Sequence, residues 1–205
     1  MVNKIQPYKG IANVYEEIRP SYPEKLIEYI ILKTNLKASD RLLEIGAGTG
    51  KATVQLAEKG FEIQAVEPGE DMAEILKAKC SKYSKVNVDV VSFEEWEPKR
   101  DEKYDMIYCA QAFHWLETTI KYKKCSKYLK EDGYLVLFWY ETSDEETDAV
   151  KEISQKVQEV IARYDSSVCV PAEAEQRLAH KGTVKDDERK AEIEASGLFK
   201  VAYKI

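Results

Sequence analysis

The chain has 205 residues, 44% of them hydrophobic and 33% charged, a balance that suits one soluble globular domain and excludes two large ones. Its 31 Lys and Arg stand against 37 Asp and Glu for a net charge of −6, so a basic surface for nucleic acid is not expected and the expected partners are small molecules. The four cysteines, Cys80, Cys109, Cys125 and Cys169, are scattered without the close pairing of a metal knuckle or redox motif, so reduced thiols and no metal site are expected.

Residues 1–38 read as a helical arm in which Pro23 suits the first turn of a helix with Leu26, Ile27, Ile30 and Ile31 on its apolar face. Residues 39–140 alternate short aliphatic runs with amphipathic stretches, the rhythm of strand-helix-strand units in a mostly parallel, doubly wound α/β sheet with helices on both faces. Strands are expected at Arg41–Ile45, Glu62–Val66, Val86–Val91, Tyr104–Cys109 and Tyr134–Tyr140, with a sixth at Phe199–Tyr203. Met72, Ile75, Leu76 and Cys80 share one helix face, as do Val150, Ile153, Val157, Val160, Ile161 and Tyr164. Residues 141–205 then read as C-terminal helices, a charged flap from Asp165 to Ser196 anchored by Val168, Val170, Leu178, Val184 and Ile193, and the last strand. His180 falls in that flap as a surface residue. The whole of 1–205 is expected to be a single domain. Its most apolar run, Tyr134–Tyr140, is too short to span a bilayer, and no basic leader with an apolar core precedes the arm, so a cytoplasmic location without membrane contact is expected.

The most informative stretch is Leu42-Leu43-Glu44-Ile45-Gly46-Ala47-Gly48-Thr49-Gly50, a strand running into a glycine turn at the start of a helix. Glycine permits positive φ there and lets a ligand approach the main chain, while unpaired N–H groups at the helix start face it. A phosphate-gripping loop is a poor fit, since Ile45 replaces its first glycine and Ala52 its hydroxyl. The dinucleotide fingerprint fails more narrowly, with Lys51 where Gly50 arrives one residue early. Ala65-Val66-Glu67-Pro68-Gly69 puts an acid at the end of the next strand, where a carboxylate can accept two ribose hydroxyls of either a dinucleotide or a sulfonium cofactor.

Leu42–Gly50, Ala65–Met72, Tyr104–Leu116 with its Ala-Gln-Ala-Phe-His-Trp segment, and Leu129–Tyr140 together resemble the class I S-adenosylmethionine-dependent methyltransferases, Rossmann-like enzymes of which the small-molecule type is the nearest match. Arg19-Pro20-Ser21-Tyr22-Pro23 resembles the segment that opens many members and folds over the cofactor. The resemblance implies S-adenosyl-L-methionine as cofactor, S-adenosyl-L-homocysteine as product and a small-molecule methyl acceptor. By that resemblance Gly46, Ala47, Gly48 and Gly50 face the methionine portion, and Glu44 holds the turn or the amino group; a buried acid satisfying backbone donors is the other reading of Glu44. Glu67 and Pro68 take the ribose, and Met72 lies against the adenine or simply in the core. Ser92 stands where members often carry an acid for the adenine amino group, a departure that leaves adenine recognition to backbone groups, Phe93 or Glu94; Phe93 as a core residue and Glu94 as a surface charge is the other reading. Ala110, Gln111 and Ala112 lie near the sulfonium, and Tyr15, Arg19 and Tyr22 close the pocket or pack on the sheet. His114 serves an acceptor as general base, or only bonds its loop with Trp115 packed beneath.

The family sheet has a last strand inserted antiparallel, and this sequence stops after its sixth candidate. The expectation is a shortened chain or a homodimer in which a second copy covers the exposed edge of Tyr134–Tyr140. Two further functional readings stay open, a cofactor-binding module with a degenerate site and an NAD-dependent oxidoreductase.

Overall fold

Five runs of β-branched, aliphatic and aromatic residues lie side by side in the computed structural model, which describes residues 10–99, 102–140 and 186–202. In chain order the elements are α1 (Ala12–Ile18), α2 (Glu24–Thr34), β1 (Arg41–Ile45), α3 (Lys51–Glu58), β2 (Glu62–Val66), α4 (Glu70–Cys80), β3 (Val86–Asp89), β4 (Tyr104–Ala110), a 3-10 turn (Phe113–Trp115), α5 (Thr118–Tyr128), β5 (Leu129–Phe138) and α6 (Asp186–Ala195). The sheet order is β3-β2-β1-β4-β5 and every pairing is parallel. The order reverses between β1 and β4, the point at which open α/β sheets present a crevice beyond their strand ends.

Alternation along β1 divides the layers. Leu42 joins Ile27, Ile30, Leu56, Ala57, Ile63, Met106 and Phe138 in one buried cluster, so α2 and α3 cover that face. Ala65, Leu76 and Cys80 form a second cluster that seats α4 beside them. Right-handed crossovers carry α3 and α4 to one face and, after the reversal, α5 to the other. The parallel strands are apolar on both faces, as buried parallel sheets require; Leu42, Leu43 and Ile45 are all fully enclosed.

The chain falls into two compact units, one of residues up to Trp139 together with those from Ser196, the other Tyr140–Ala195. Of the second, the structure describes Tyr140 and α6, where Arg189 and Glu192 pair at 2.7 Å one turn apart. The described end of the expected flap is therefore helix. Val168, Val170, Leu178, Val184, Cys169, His180 and the expected helix face from Val150 to Tyr164 lie outside the described residues.

Three strand expectations are corrected. Over 199–202 the expected sixth strand is not a strand; Phe199 instead sets its ring 6.2 Å from Tyr122 of α5, a packing contact in place of a ladder. β5 begins at Leu129, because Leu129 pairs with Tyr104 and Tyr134 with Met106, so Lys130-Glu131-Asp132-Gly133 bulges opposite Asp105. β3 ends at Asp89, whose carboxylate accepts from the indole of Trp96 at 2.9 Å, although the amide of Val91 still reaches the Glu67 carbonyl.

Candidate active site

The turn after β1 carries three glycines at positive φ, each for a different physical reason. A Cβ on Gly46 would stand 2.5 Å from Cβ of Ala112, so the turn and the segment after β4 are in contact at the reversal of the sheet. A Cβ on Gly50 would meet Leu76 of α4 at 2.4 Å. A Cβ on Gly48, with φ of 57°, would have nothing within 4 Å, so here the main chain borders open space. The amides of Gly46 and Ala47 both donate to the Val66 carbonyl, which ties the turn to the end of β2.

Glu67 is buried just past the end of β2, and its backbone is held by the end of β3 and the residues after it: its amide donates to the Asp89 carbonyl and its carbonyl accepts from the Val91 amide. That fixes the carboxylate toward the glycine turn. One oxygen accepts from the Gly48 amide at 2.7 Å and the other from the Gly69 amide at 2.8 Å. Burial raises its pKa against the pull of those two amides, and Asp71 adds to the rise.

Glu44 lies beneath the turn, 1% exposed. Its carboxylate accepts from the Thr53 hydroxyl at 2.5 Å and the Tyr108 hydroxyl at 2.8 Å, so side-chain hydroxyls satisfy it rather than backbone donors. Burial pushes its pKa up to about 7, with the two hydroxyls opposing and Glu67 assisting. Tyr108 is raised well above the usual phenol range by the same burial and by the charge it faces. The sequence reading missed both partners; the signal was the register, since β1 and β4 pair Glu44 with Tyr108.

The arm is fastened across this turn. Glu16 of α1 meets Lys79 of α4 at 2.7 Å and Lys51, the first residue of α3, at 3.4 Å, while Lys51 also donates to the Glu16 carbonyl. Burial acts to raise the Glu16 carboxyl, and is outweighed by Lys79, the Thr49 hydroxyl and Lys51, which together hold it below the usual range. Gly10 adds a bond from its amide to Asp71. None of these clasp residues was singled out from the sequence. Arg19 stacks its guanidinium over Tyr15 at 5.6 Å and has no acidic partner among the described residues. Tyr22 instead packs on the sheet: its carbonyl accepts from Gln55 at 2.7 Å and its ring meets Phe138 edge-on.

Of the other expected residues, Met72 is buried beside Gly69, and Pro68 is exposed. Ser92 opens the turn that leads to Trp96, its carbonyl accepting from the Glu95 and Trp96 amides. Phe93 is 2% exposed and stacks on Trp96 under the Lys124 ammonium, which makes it a core residue. Ala110, Gln111 and Ala112 cross from β4 to the 3-10 turn, with Gln111 at φ 67°. His114 is half-buried with its ring 4.8 Å from that of Trp115, which is 42% exposed. Among the described residues no group of three His, Cys, Asp or Glu is arranged to hold a metal ion, and no helix is long and apolar enough to cross a membrane. Cys80, Cys109 and Cys125 are buried.

A family model described as a methyltransferase domain matches residues 15–168. An uncharacterized methyltransferase of Mycobacterium tuberculosis is 33% identical over 148 residues, 72% of this chain and 57% of that protein. An uncharacterized methyltransferase-like protein of Schizosaccharomyces pombe is 33% identical over 162 residues, 78% of this chain and 59% of its own length. The chain thus spans a little over half the length of these curated relatives. An S-adenosylmethionine-dependent methyltransferase structure from Clostridium acetobutylicum is similar in fold, with a TM-score of 0.52 at 22% identity over 62% of this chain and 55% of that one.

Proposed function

Because this chain belongs to the class I S-adenosylmethionine-dependent methyltransferase family, we propose that it transfers a methyl group from S-adenosylmethionine to a small-molecule acceptor by in-line displacement. The observation that carries this reading is Glu67, a buried carboxylate tied to the Gly48 and Gly69 amides beside a Gly48 that borders open space. Each of its oxygens has lone pairs beyond the single amide it binds, enough to accept two ribose hydroxyls, so the residues fit the nucleoside. When bound, the cofactor supplies a methyl group already activated as a sulfonium.

The chain's own residues then bind, orient and exclude water. Gly46, Ala47 and Gly50 hold the shape of the turn, Gly48 lets the amino-acid portion approach, and Glu44 braces the turn from below through Thr53 and Tyr108. Arg19 offers its guanidinium to the cofactor carboxylate, with Tyr15 beneath it and Tyr22 anchoring the arm. Pro68, Met72 and Ser92 back the nucleoside, and Ala110, Gln111 and Ala112 border the point of transfer. An acceptor that arrives as hydroxyl or ammonium gives its proton to the His114 imidazole, which passes it to water; an acceptor that arrives as a carboxylate needs no base.

Calorimetry tests the reading. S-adenosylhomocysteine is expected to bind at one site, NAD is not, and Glu67→Ala weakens S-adenosylhomocysteine by about 100-fold, since two hydrogen bonds to a charged group are lost. NAD binding, or unchanged affinity in the variant, overturns it. Binding without methyl transfer to any of a broad set of acceptors identifies a cofactor-holding module instead.

A further inference from the structure

Gln111 combines two costs at the crevice. It is one of two residues other than glycine at positive φ among the described residues, and the other, Asn35, merely ends α2. Its φ of 67° is imposed from both sides: its amide donates to the Phe138 carbonyl at 3.0 Å, and the next residue, Ala112, rests against Gly46. A side chain in the left-handed region is strained unless the residue is kept for another reason. The carboxamide compounds the cost, because its Nε2 is buried and has no hydrogen-bond partner among the described residues. A half-turn of the amide exchanges nitrogen and oxygen, so the same unsatisfied position serves as donor or as acceptor.

Its place in the sheet says what the amide is for. The ribose acid is on β2 and the glycine turn on β1; β4 is the next strand over, so the end of β4 lies on the far side of the turn from Glu67. We infer that the Gln111 carboxamide holds the heteroatom that receives the methyl group, orienting its lone pair by a hydrogen bond while leaving the cofactor to the glycine turn and Glu67. This rests on the reading of the crevice as an S-adenosylmethionine site. The second reactant is accordingly one whose methyl-accepting atom, nitrogen or oxygen, also carries a hydrogen that the amide oxygen can accept. The neighbours Ala110 and Ala112 bring no charge of their own.

Sinefungin tests this without knowledge of the acceptor, because it carries an amine where S-adenosylmethionine carries the methyl group, and S-adenosylhomocysteine carries nothing there. Gln111→Gly removes the amide and relieves the backbone, so its melting temperature is expected to equal or exceed that of the wild type. Its affinity for sinefungin is expected to fall ~10-fold while that for S-adenosylhomocysteine stays within about twofold. Gln111→Asn, which keeps a carboxamide and tolerates positive φ, recovers part of the loss. Equal losses for the two ligands, or no loss for either, overturn the inference and leave the cofactor site standing. A wild type that binds neither ligand overturns both.

Discussion

At the amino end of the strands, Glu62 and Glu102 both meet the Arg41 guanidinium, at 2.8 and 2.9 Å, and Asp105 meets Lys130 at 2.7 Å. At the carboxyl end, Glu44 and Glu67 are buried deeper and have hydroxyls and amides as their hydrogen-bond partners, with no cation in contact among the described residues. The first arrangement cancels charge in partly solvated pairs, which costs little and contributes little. The second places carboxyls in a low-dielectric surrounding that disfavours their ionised form, so their pKa values are raised on folding. Charge is therefore compensated at one end of the sheet, and the capacity to grip a polar ligand is stored at the other.

The contrast can be broken most strongly at Gly46. Gly46→Ala places a methyl group 2.5 Å from Ala112 at a φ of 67°, and the combined strain and overpacking are expected to cost about 4 kcal/mol in chemical denaturation. Gly48→Ala, with similar φ and open space, should cost only about 1 kcal/mol. Equal costs would mean that contact across the reversal does not set the geometry of the turn.

Glu44 gives the next effect, through pH. Its pKa rises on folding from 4.5 to about 7, so the folded state holds the proton more tightly. The stability this confers is complete below pH 4.5 and is lost as pH rises through 7, ~3 kcal/mol across that window. Glu44→Gln cannot ionise, so melting curves from pH 4.5 to 8 should show the wild type declining relative to the variant. Parallel curves would place Glu44 among the compensated acids of the opposite end. The smallest effect is expected from Arg41→Ala, about 1 kcal/mol at low salt and little in concentrated salt, with unchanged S-adenosylhomocysteine affinity.

How much of this was legible in the sequence depends on whether a feature is local. β1 and β2 match their expected limits, because a short aliphatic run ending in a glycine turn or at Glu67-Pro68 carries its own stop signal. The start of β5 was hidden by Lys130-Glu131-Asp132-Gly133, which reads as a turn and in fact continues the strand through a bulge. Phe199–Tyr203 had strand-like composition, but composition does not say whether a neighbour offers a ladder, and Phe199 found Tyr122 instead. In the site, Glu67 and Gly48 were evident from spacing, while the hydroxyls on Glu44 and the lysines on Glu16 come from separate elements and depend on how those elements pack. The occupied Gly46 and Ala47 amides belong to the same class, since their acceptor is the last carbonyl of β2.

The bulge in β5 has a practical side. Gly133 fits because any larger residue would strike Leu129 and the Asp105 carbonyl, both within 3 Å of where its Cβ would stand. The neighbouring Glu131 and Asp132 point their exposed positions outward at the amino end of the sheet, the far side from the glycine turn. A fluorophore or surface tether attached at Glu131 or Asp132 would thus report on ligand capture, or immobilise the protein on a sensor chip, with the mouth of the crevice left facing the solution.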